Sequence, residues 1–470
     1  MAAPRLRILG LDLFERDVVL RLPFRFGVVT LTACPQAFVR ARIAVEDGVE
    51  AIGASAELLA PKWFDKNLAL TNEDNFRQLR DSLRLAREAY LADTRSRCAF
   101  RHAASCYQAL IDSGSLRGLN PLVVGFGPAL IDRALLDALC RALDVSFHDA
   151  IRCNAPGIDA SLTPDLAGFD LDRFLEGCRQ LPDIDVRHTV GLVDPITAGD
   201  ATLRIDDGLP QTLEEVITVY ANRYFKLKVS GDADADIARL TRIAAVLDRL
   251  TIYRITLDGN EQFADAETAV RFWRQLEGTP ALRRMADATL YIEQPLPRAV
   301  TLETDIAALA SAKPVLIDEA DGTLDAFPAA AARGYTGVSS KNCKGFYKSL
   351  LNAARCARRN GEGGPRFFMS GEDLTTQAGL AVQQDLALVN LLGLRHVERN
   401  GHHYVHGFAG QGASRDEQRG FAEAHPDLYE GDADNVRLRL RDGRLHLKSL
   451  DQPGFATGAH PDFTTMTPIP

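Results

Sequence analysis

Lys226 and Lys228 stand one residue apart in the short apolar segment "YFKLKVSG" (224–231). On a strand, positions i and i+2 share a face, so the two ammonium groups are neighbours and repel unless an anion faces them. Acids end the next three apolar segments: Asp258 in "RITLDGNEQ", Glu293 in "LYIEQPL" and Asp318 in "VLIDEADG". Asn260 and Glu261 follow the first, and Glu319 follows the third. Lys341 and Lys344 end "GVSSKNCKG", and Glu372 and Asp373 end "FMSGEDL".

Crowded carboxylates repel, and burying charge without a partner is costly. A hard divalent cation resolves both problems. Mg²⁺, with Mn²⁺ as a substitute, takes oxygen ligands and leaves positions open for substrate, and Asp258, Glu293 and Asp318 could supply three such ligands. Burial, a metal and a second ammonium can each lower a lysine pKa from its ordinary value of about 10.4. Lys228 is then the expected base, with Lys226 depressing its pKa, and Lys341 faces the substrate from the far side. The step this set suits is removal of a proton α to a carboxylate.

Such residues need strand ends gathered in one place. From about residue 186 short apolar strands alternate with helices, as in "YFKLKVSGD" followed by "ADIARLTRIAAVLDRL". Seven or eight such units imply a parallel (β/α) barrel, whose active site lies at the C-terminal strand ends. Before it, "RDVVLRLPFRFGVVTLT" and "AFVRARIAVEDGVEAIGASAE" alternate like antiparallel strands, with "EDG" as a turn. Residues 73–112 and "PALIDRALLDALCRALDVSFHDAI" have helical periodicity. The expected fold is α/β: a modified TIM barrel, (β/α)7β, with an α+β capping domain formed by the N-terminal region and the C-terminal tail. The boundaries are 1–185 for the cap with its linking helices, 186–410 for the barrel, and 411–470 for a C-terminal segment packing on the cap.

The 470 residues exceed one small core, and 46 % hydrophobic with 25 % charged residues is ordinary for a globular protein. A net charge of −9 argues against nucleic-acid and anionic-membrane partners. No apolar run reaches membrane-span length, and the start of the chain lacks a signal-peptide pattern. The eight cysteines are scattered with no C-x-x-C pair, so buried thiols in the cytoplasm are expected.

The ordered series "KLK", "LDGNEQ", "IEQPL", "IDEADG" and "SSKNCKG" resembles the enolase superfamily, and within it the muconate-lactonizing-enzyme subgroup of the mandelate racemase/muconate lactonizing enzyme family. The resemblance runs over most of the chain. It implies Lys228 as base with Lys226 in support, Asp258, Glu293 and Asp318 as Mg²⁺ ligands, and Lys341 as the opposing acid/base, oriented by Glu319. It also implies a small carboxylic acid substrate and a homo-oligomer. Glu372 lies near the subgroup's seventh-strand acid. Specificity is expected from cap loops 24–36 and 54–66, with Arg25, Phe26, Trp63 and Phe64; Arg25 is a candidate for a distal substrate anion. The subgroup's paired glycines are missing from "KNCKGFYK", and there is no mandelate-racemase His–Asp dyad. His402, His403 and His406 are expected on a polar barrel rim.

Facing lysines permit racemisation or epimerisation, dehydration, and cycloisomerisation, and the sequence does not separate these. A non-catalytic binding protein on the same fold and a Schiff-base aldolase using Lys226 or Lys228 are the competing readings.

Overall fold

The computed structural model describes residues 3–470 except positions 28, 203 and 433. The chain opens with a three-stranded antiparallel meander, β1 (Leu6–Phe26), β2 (Val29–Val45) and β3 (Glu50–Leu58). The "EDG" turn closes β2 onto β3: Gly48, at φ +87°, donates its N–H to the Val45 carbonyl at 2.9 Å. Three helices follow, α1 (Asn72–Ala92), α2 (Ala99–Leu116) and α3 (Pro121–Ala142). Thr71 and Asp74 form a reciprocal capping box at the start of α1. Helix α3 is buried almost all round because β2 and β3 cover one side and α1 and α2 the other. A Cβ on Gly53 would lie 2.2 Å from the Ala138 backbone nitrogen, so this contact admits only glycine.

Eight parallel strands then close into a barrel: β4 (Asp183–Val190), β5 (Tyr224–Lys228), β6 (Arg254–Asp258), β7 (Thr289–Glu293), β8 (Val315–Ile317), β9 (Gly337–Ser340), β10 (Phe368–Gly371) and β11 (His396–Glu398). Pairing of β11 with β4, Glu398 opposite Arg187, completes the ring. The connecting helices pack their apolar faces on outward residues such as Phe225, Leu227, Ile255 and Leu257. Those after β7 and β8 are short, at Arg298–Thr301, Ala307–Ala310 and Ala326–Ala331.

Register decides what meets at the barrel mouth. Lys228 is paired opposite Asp258, and Asp258 opposite Glu293. Three charged side chains therefore sit at one level on adjacent strands, about 4.8 Å apart.

The C-terminal segment, expected on the cap, divides between the two layers. Arg444–His446 pairs antiparallel with Asp183–Asp185 of β4. Strand β4 is longer than its barrel neighbours, and this pairing covers an edge that would otherwise be bare. Thr467–Pro468 returns to the cap as a fourth strand beside Phe14 and Glu15 of β1. Among the described residues no helix is long and apolar enough to cross a membrane.

Candidate active site

Alternation along β5 sends Phe225 and Leu227 to the helical layer and Lys226 and Lys228 into the barrel, where both are buried. Lys226 Nζ lies 2.7 Å from Glu372 Oε2, 2.9 Å from Glu398 Oε2 and 2.9 Å from Asp258 Oδ2. It also donates to Glu293 Oε1 at 2.9 Å. Burial opposes the Lys226 ammonium, but these four carboxylates outweigh it and hold its pKa well above the usual lysine value. Lys228 Nζ donates to Asp258 Oδ2 at 2.5 Å. The repelling pair expected from the sequence is thus a pair bridged by one carboxylate oxygen. Burial would raise the Asp258 pKa, yet Lys226 and Lys228 bring it below the ordinary value.

Glu293 behaves differently. Burial, followed by the charges of Asp258 and Glu372, pushes its pKa well above the usual range despite Lys226. Its Oε2 lies 2.8 Å from Lys226 Nζ but at an angle that makes no hydrogen bond. Glu398 goes the other way: burial is outweighed by Lys226, Lys228 and Lys341, and its pKa falls well below the ordinary value.

Across the mouth, Lys341 Nζ donates to Asp318 Oδ2 at 2.7 Å and sits 4.3 Å from the centre of the Trp63 ring. Burial penalises the Lys341 charge, but Asp318 raises its pKa well above the usual value. Asp318 in turn falls below the usual range because Lys341, Lys344 and Lys226 outweigh burial. The Ser339 hydroxyl donates to Asp318 Oδ1, and Lys344 Nζ donates to Ser339 Oγ at 2.6 Å.

Glu319 was expected to orient Lys341 and does not. It accepts from Asn260 Nδ2 at 3.1 Å and lies 3.7 Å from Lys66 Nζ, while Lys341 is held by Asp318. Asn260 (φ +40°) folds back so that its N–H donates to Asp258 Oδ1 at 2.8 Å. Next to it, Glu261 binds Lys66 at 2.6 Å and Arg298 at 2.8 Å. Arg298 also donates to the carbonyls of Trp63 and Phe64, which seats the cap loop on the barrel with Trp63 over Lys341.

Lys228, Lys341 and Asn260 share one small cavity, roofed by Phe24, Phe26 and Trp63 of the cap. Phe26 and Trp63, from the cap loops, line this cavity. Phe64 instead packs edge-on against Phe126, 5.2 Å between ring centres. Arg25 is also displaced: it is exposed, and strand alternation turns it away from its buried neighbours Phe24 and Phe26. It does not line this cavity.

The histidines expected on a polar rim are partly buried instead. His402 and His403 pack with His188 of β4, whose side chain points outward from the barrel. His188 and His402 ring nitrogens approach to 3.4 Å. Burial keeps all three neutral: it lowers His402 to about 3 and the other two well below the usual histidine value.

Below Lys228, Arg187 and Tyr291, which no sequence motif marks, join Lys226, Glu372 and Glu398 in a charged layer. Arg187 of β4 pairs with Glu372 and donates to the Gly371 carbonyl at 2.9 Å. Tyr291 of β7 donates to Glu372 Oε1 at 3.1 Å. Glu398 accepts from Thr189 Oγ1 at 2.5 Å and from the Asp373 N–H at 2.9 Å. The period-two rule that marked Lys226 and Lys228 also marks Arg187 with Thr189, and Tyr291 with Glu293.

Among the described residues no three acidic, imidazole or thiol side chains form a ready-made metal cage. Asp258, Glu293 and Asp318 are each turned onto lysines instead. Their chemistry still fits a hard cation: three buried carboxylates at neighbouring strand ends, one with an oxygen that no hydrogen bond satisfies.

No protein-family model matches the chain, and no curated protein matches it. Solved structures do. A muconate lactonizing enzyme from Pseudomonas fluorescens, complexed with muconolactone, is 19 % identical, with 97 % of each chain covered and a TM-score of 0.57. An enolase from Bradyrhizobium, complexed with magnesium and mandelic acid, is 17 % identical, covering 98 % of this chain and 97 % of that one at a TM-score of 0.57. An enolase from Mycobacterium smegmatis, complexed with tartrate, is 16 % identical, covering 97 % and 89 % at 0.60. The fold is a closed eight-stranded parallel barrel with a separate antiparallel capping sheet. It is the fold of the enolase superfamily, shared with muconate lactonizing enzymes.

Proposed function

We propose that this chain is an enzyme that removes the proton α to the carboxylate of a small carboxylic acid. The observation that carries this reading is the shared cavity: Lys228 and Lys341, from β5 and the end of β9, line one small chamber, and each donates to a strand-end carboxylate behind it, Asp258 and Asp318. The structural neighbours complexed with mandelic acid, tartrate and muconolactone support the substrate class.

Lys228 takes the proton in this reading. To do so it must leave Asp258 Oδ2 and be neutral. Asp258, Glu293 and Asp318 would hold Mg²⁺, or Mn²⁺ in its place. Bound there, the cation supplies electrostatic stabilisation of the negative charge that develops on the substrate carboxylate. Lys226 stays protonated under its four carboxylates and keeps their side chains in place. Lys341, held as an ammonium by Asp318 and Trp63, is placed to donate a proton or to attract negative charge from the opposite side. Phe24, Phe26 and Trp63 exclude water from the chamber. Proton return on the face opposite its departure gives racemisation or epimerisation. Loss of a leaving group gives dehydration, and ring opening or closure gives cycloisomerisation.

The test is solvent deuterium exchange over hydroxy, amino and sugar acids, with and without EDTA. The expected result is Mg²⁺-dependent α-exchange in the parent protein and none in Lys228→Ala. Exchange that survives Lys228→Ala removes the base assignment. If no acid in the set exchanges or turns over, the non-catalytic binding protein becomes the better reading.

A further inference from the structure

Strands β10, β11 and β4 are neighbours, and the chain enters them on the face of the barrel opposite the chamber between Lys228 and Lys341. A groove of about 880 Å³, open to solvent along its rim, lies on this face. That size is within the range of small-molecule sites. Its wall is built from the segments leading into those three strands, the short helix Leu171–Glu176 and one side of the helix Phe346–Gly361.

The floor is apolar and only half-covered. Phe169, Phe174, Phe368, Met369, Leu392 and Leu394 line the groove, and each is half-buried. Single exposed apolar residues are ordinary, but six that meet in one concave surface mark a place where something binds.

Four arginines line the same groove: Arg173, Arg179, Arg366 and Arg395, all exposed. Among the described residues none of these guanidiniums hydrogen-bonds or pairs with an acid. Arg355 and Arg358, on the same helix as the lining residue Cys356, show the contrast: Arg355 lies 2.7 Å from Asp165 and Arg358 lies 3.2 Å from Glu362. The acid that lines the groove, Asp170, is used locally, accepting from the Arg173 backbone N–H at 3.0 Å to cap the short helix. In a chain of net charge −9, four unpaired cations around one apolar groove reverse the local sign.

Guanidinium groups present paired N–H donors that match a carboxylate or a phosphate. An anion without an apolar part would leave the floor wet, and an uncharged apolar molecule would leave the arginines unused. We infer that this groove binds an amphipathic anion, an apolar chain or ring carrying a carboxylate or phosphate head. Its apolar part lies on Phe368, Met369 and Leu394, and its head lies between Arg366 and Arg395, which precede the paired strands β10 and β11. The site stands independently of the barrel chemistry.

The test is calorimetric titration of the full chain with octanoate, octyl phosphate, 1-octanol, octylammonium and acetate. Octanoate and octyl phosphate are expected to bind saturably, the tighter of the two identifying the head group. Octanol and octylammonium should be weaker by about tenfold or more, and acetate should not bind. The double variant Arg366→Glu/Arg395→Glu changes exposed side chains without partners, so its melting temperature should stay close to the parent's. It is expected to lose about tenfold or more in affinity for both anions and to bind octylammonium more tightly than the parent does. Lys228→Ala is expected to leave octanoate binding unchanged, which separates the groove from the barrel chamber. The proposal is overturned if neither anion binds saturably up to about 10 mM, if octylammonium binds the parent as tightly as the anions do, or if the double variant binds both anions as the parent does. It is equally overturned if binding is lost in Lys228→Ala. The same holds if the parent sediments as an oligomer that the double variant no longer forms, since the groove is then an interface between copies of this chain.

Discussion

Asp258 Oδ2 accepts a 2.5 Å hydrogen bond from Lys228 Nζ, so the residue proposed as a metal ligand holds the residue proposed as the base. The ammonium and a divalent cation compete for the same carboxylate oxygen. Lys228→Met removes the competitor, and Mg²⁺ affinity should rise by roughly 10- to 150-fold, since hydrogen bonds to charged groups are worth about 1.5–3 kcal/mol and each 1.4 kcal/mol is about tenfold. Calorimetric titration of Mg²⁺ measures it. Unchanged affinity in Lys228→Met would mean that Asp258 is not a ligand. Loss of α-exchange in the same variant separates the catalytic role from the electrostatic one.

Lys226 is the counter-charge of Asp258, Glu293, Glu372 and Glu398. Removing one partner of a buried ionic network strands the others. Lys226→Met should therefore destabilise the fold by about 3–5 kcal/mol. Lys341 touches one carboxylate, Asp318, and an aromatic ring, so Lys341→Met should cost less. Urea unfolding of both variants makes the comparison. Equal losses would contradict the central position of Lys226. Mg²⁺ should restore part of the Lys226→Met loss, because a bound cation stabilises the native state by mass action.

Much of this was legible in the sequence, for physical reasons. Barrel strands advertise themselves by short apolar runs, and their charged ends stand out against those runs. Asp258, Glu293 and Asp318 were found that way, and the shared face of Lys226 and Lys228 followed from pleat alone. Other features depended on tertiary packing. That Asp258 Oδ2 sits between two ammonium groups depends on register across strands far apart in the chain. Arg25 was misplaced by one residue of alternation, since its neighbours Phe24 and Phe26 take the cavity-facing positions. Glu319 follows Asp318 directly, and adjacent residues point apart, so only one of them could reach Lys341. Arg187 and Tyr291 lie inside β4 and β7 and not at their ends, where no sequence motif marks them as part of the barrel mouth.

Glu398 ends the last barrel strand and fixes Lys226, Thr189 and the Asp373 N–H together. It does not line the chamber between Lys228 and Lys341 but holds two residues that do, Asp373 and Asn400, which fits a positioning role. Glu398→Gln preserves shape but weakens the hold on Lys226. The rate of α-exchange should fall by roughly 10–100-fold, the usual scale for outer partners of a metal site. Mg²⁺ affinity and exchange rate, measured together, distinguish this from simple unfolding. Arg25→Ala is the contrasting variant: the exposed side chain should leave exchange within about twofold of the parent, as surface changes generally do.

Acid should loosen the cap where three histidines underlie it. Strand β1 is held to the barrel by the loop carrying His402 and His403: the Arg21 N–H donates to the Tyr404 carbonyl at 2.8 Å, an Arg21 Nη1–H donates to the His403 carbonyl at 3.1 Å, and Phe24 stacks on Tyr404 at 4.2 Å. Burial lowers His188, His402 and His403; neighbouring histidines act in the same direction on His188 and His403, and Arg21 on His402 and His403. His402 falls to about 3. The unfolded chain, with histidines near 6.5, binds protons that the folded chain refuses, so stability rises with pH in this window. The contribution is complete above the unfolded value of about 6.5 and is lost as pH falls from there toward the folded values. Between pH 7.5 and 5.5 each buried histidine should cost about 1.4 kcal/mol, or about 4 kcal/mol for the three. His396 and His425, lowered to about 3 and about 4, add in the same sense. His402→Gln should remove about one third of the three-histidine loss when urea unfolding is compared at the two pH values. A variant whose unfolding free energy changes with pH as steeply as the parent's would show that His402 is not part of the titrating set.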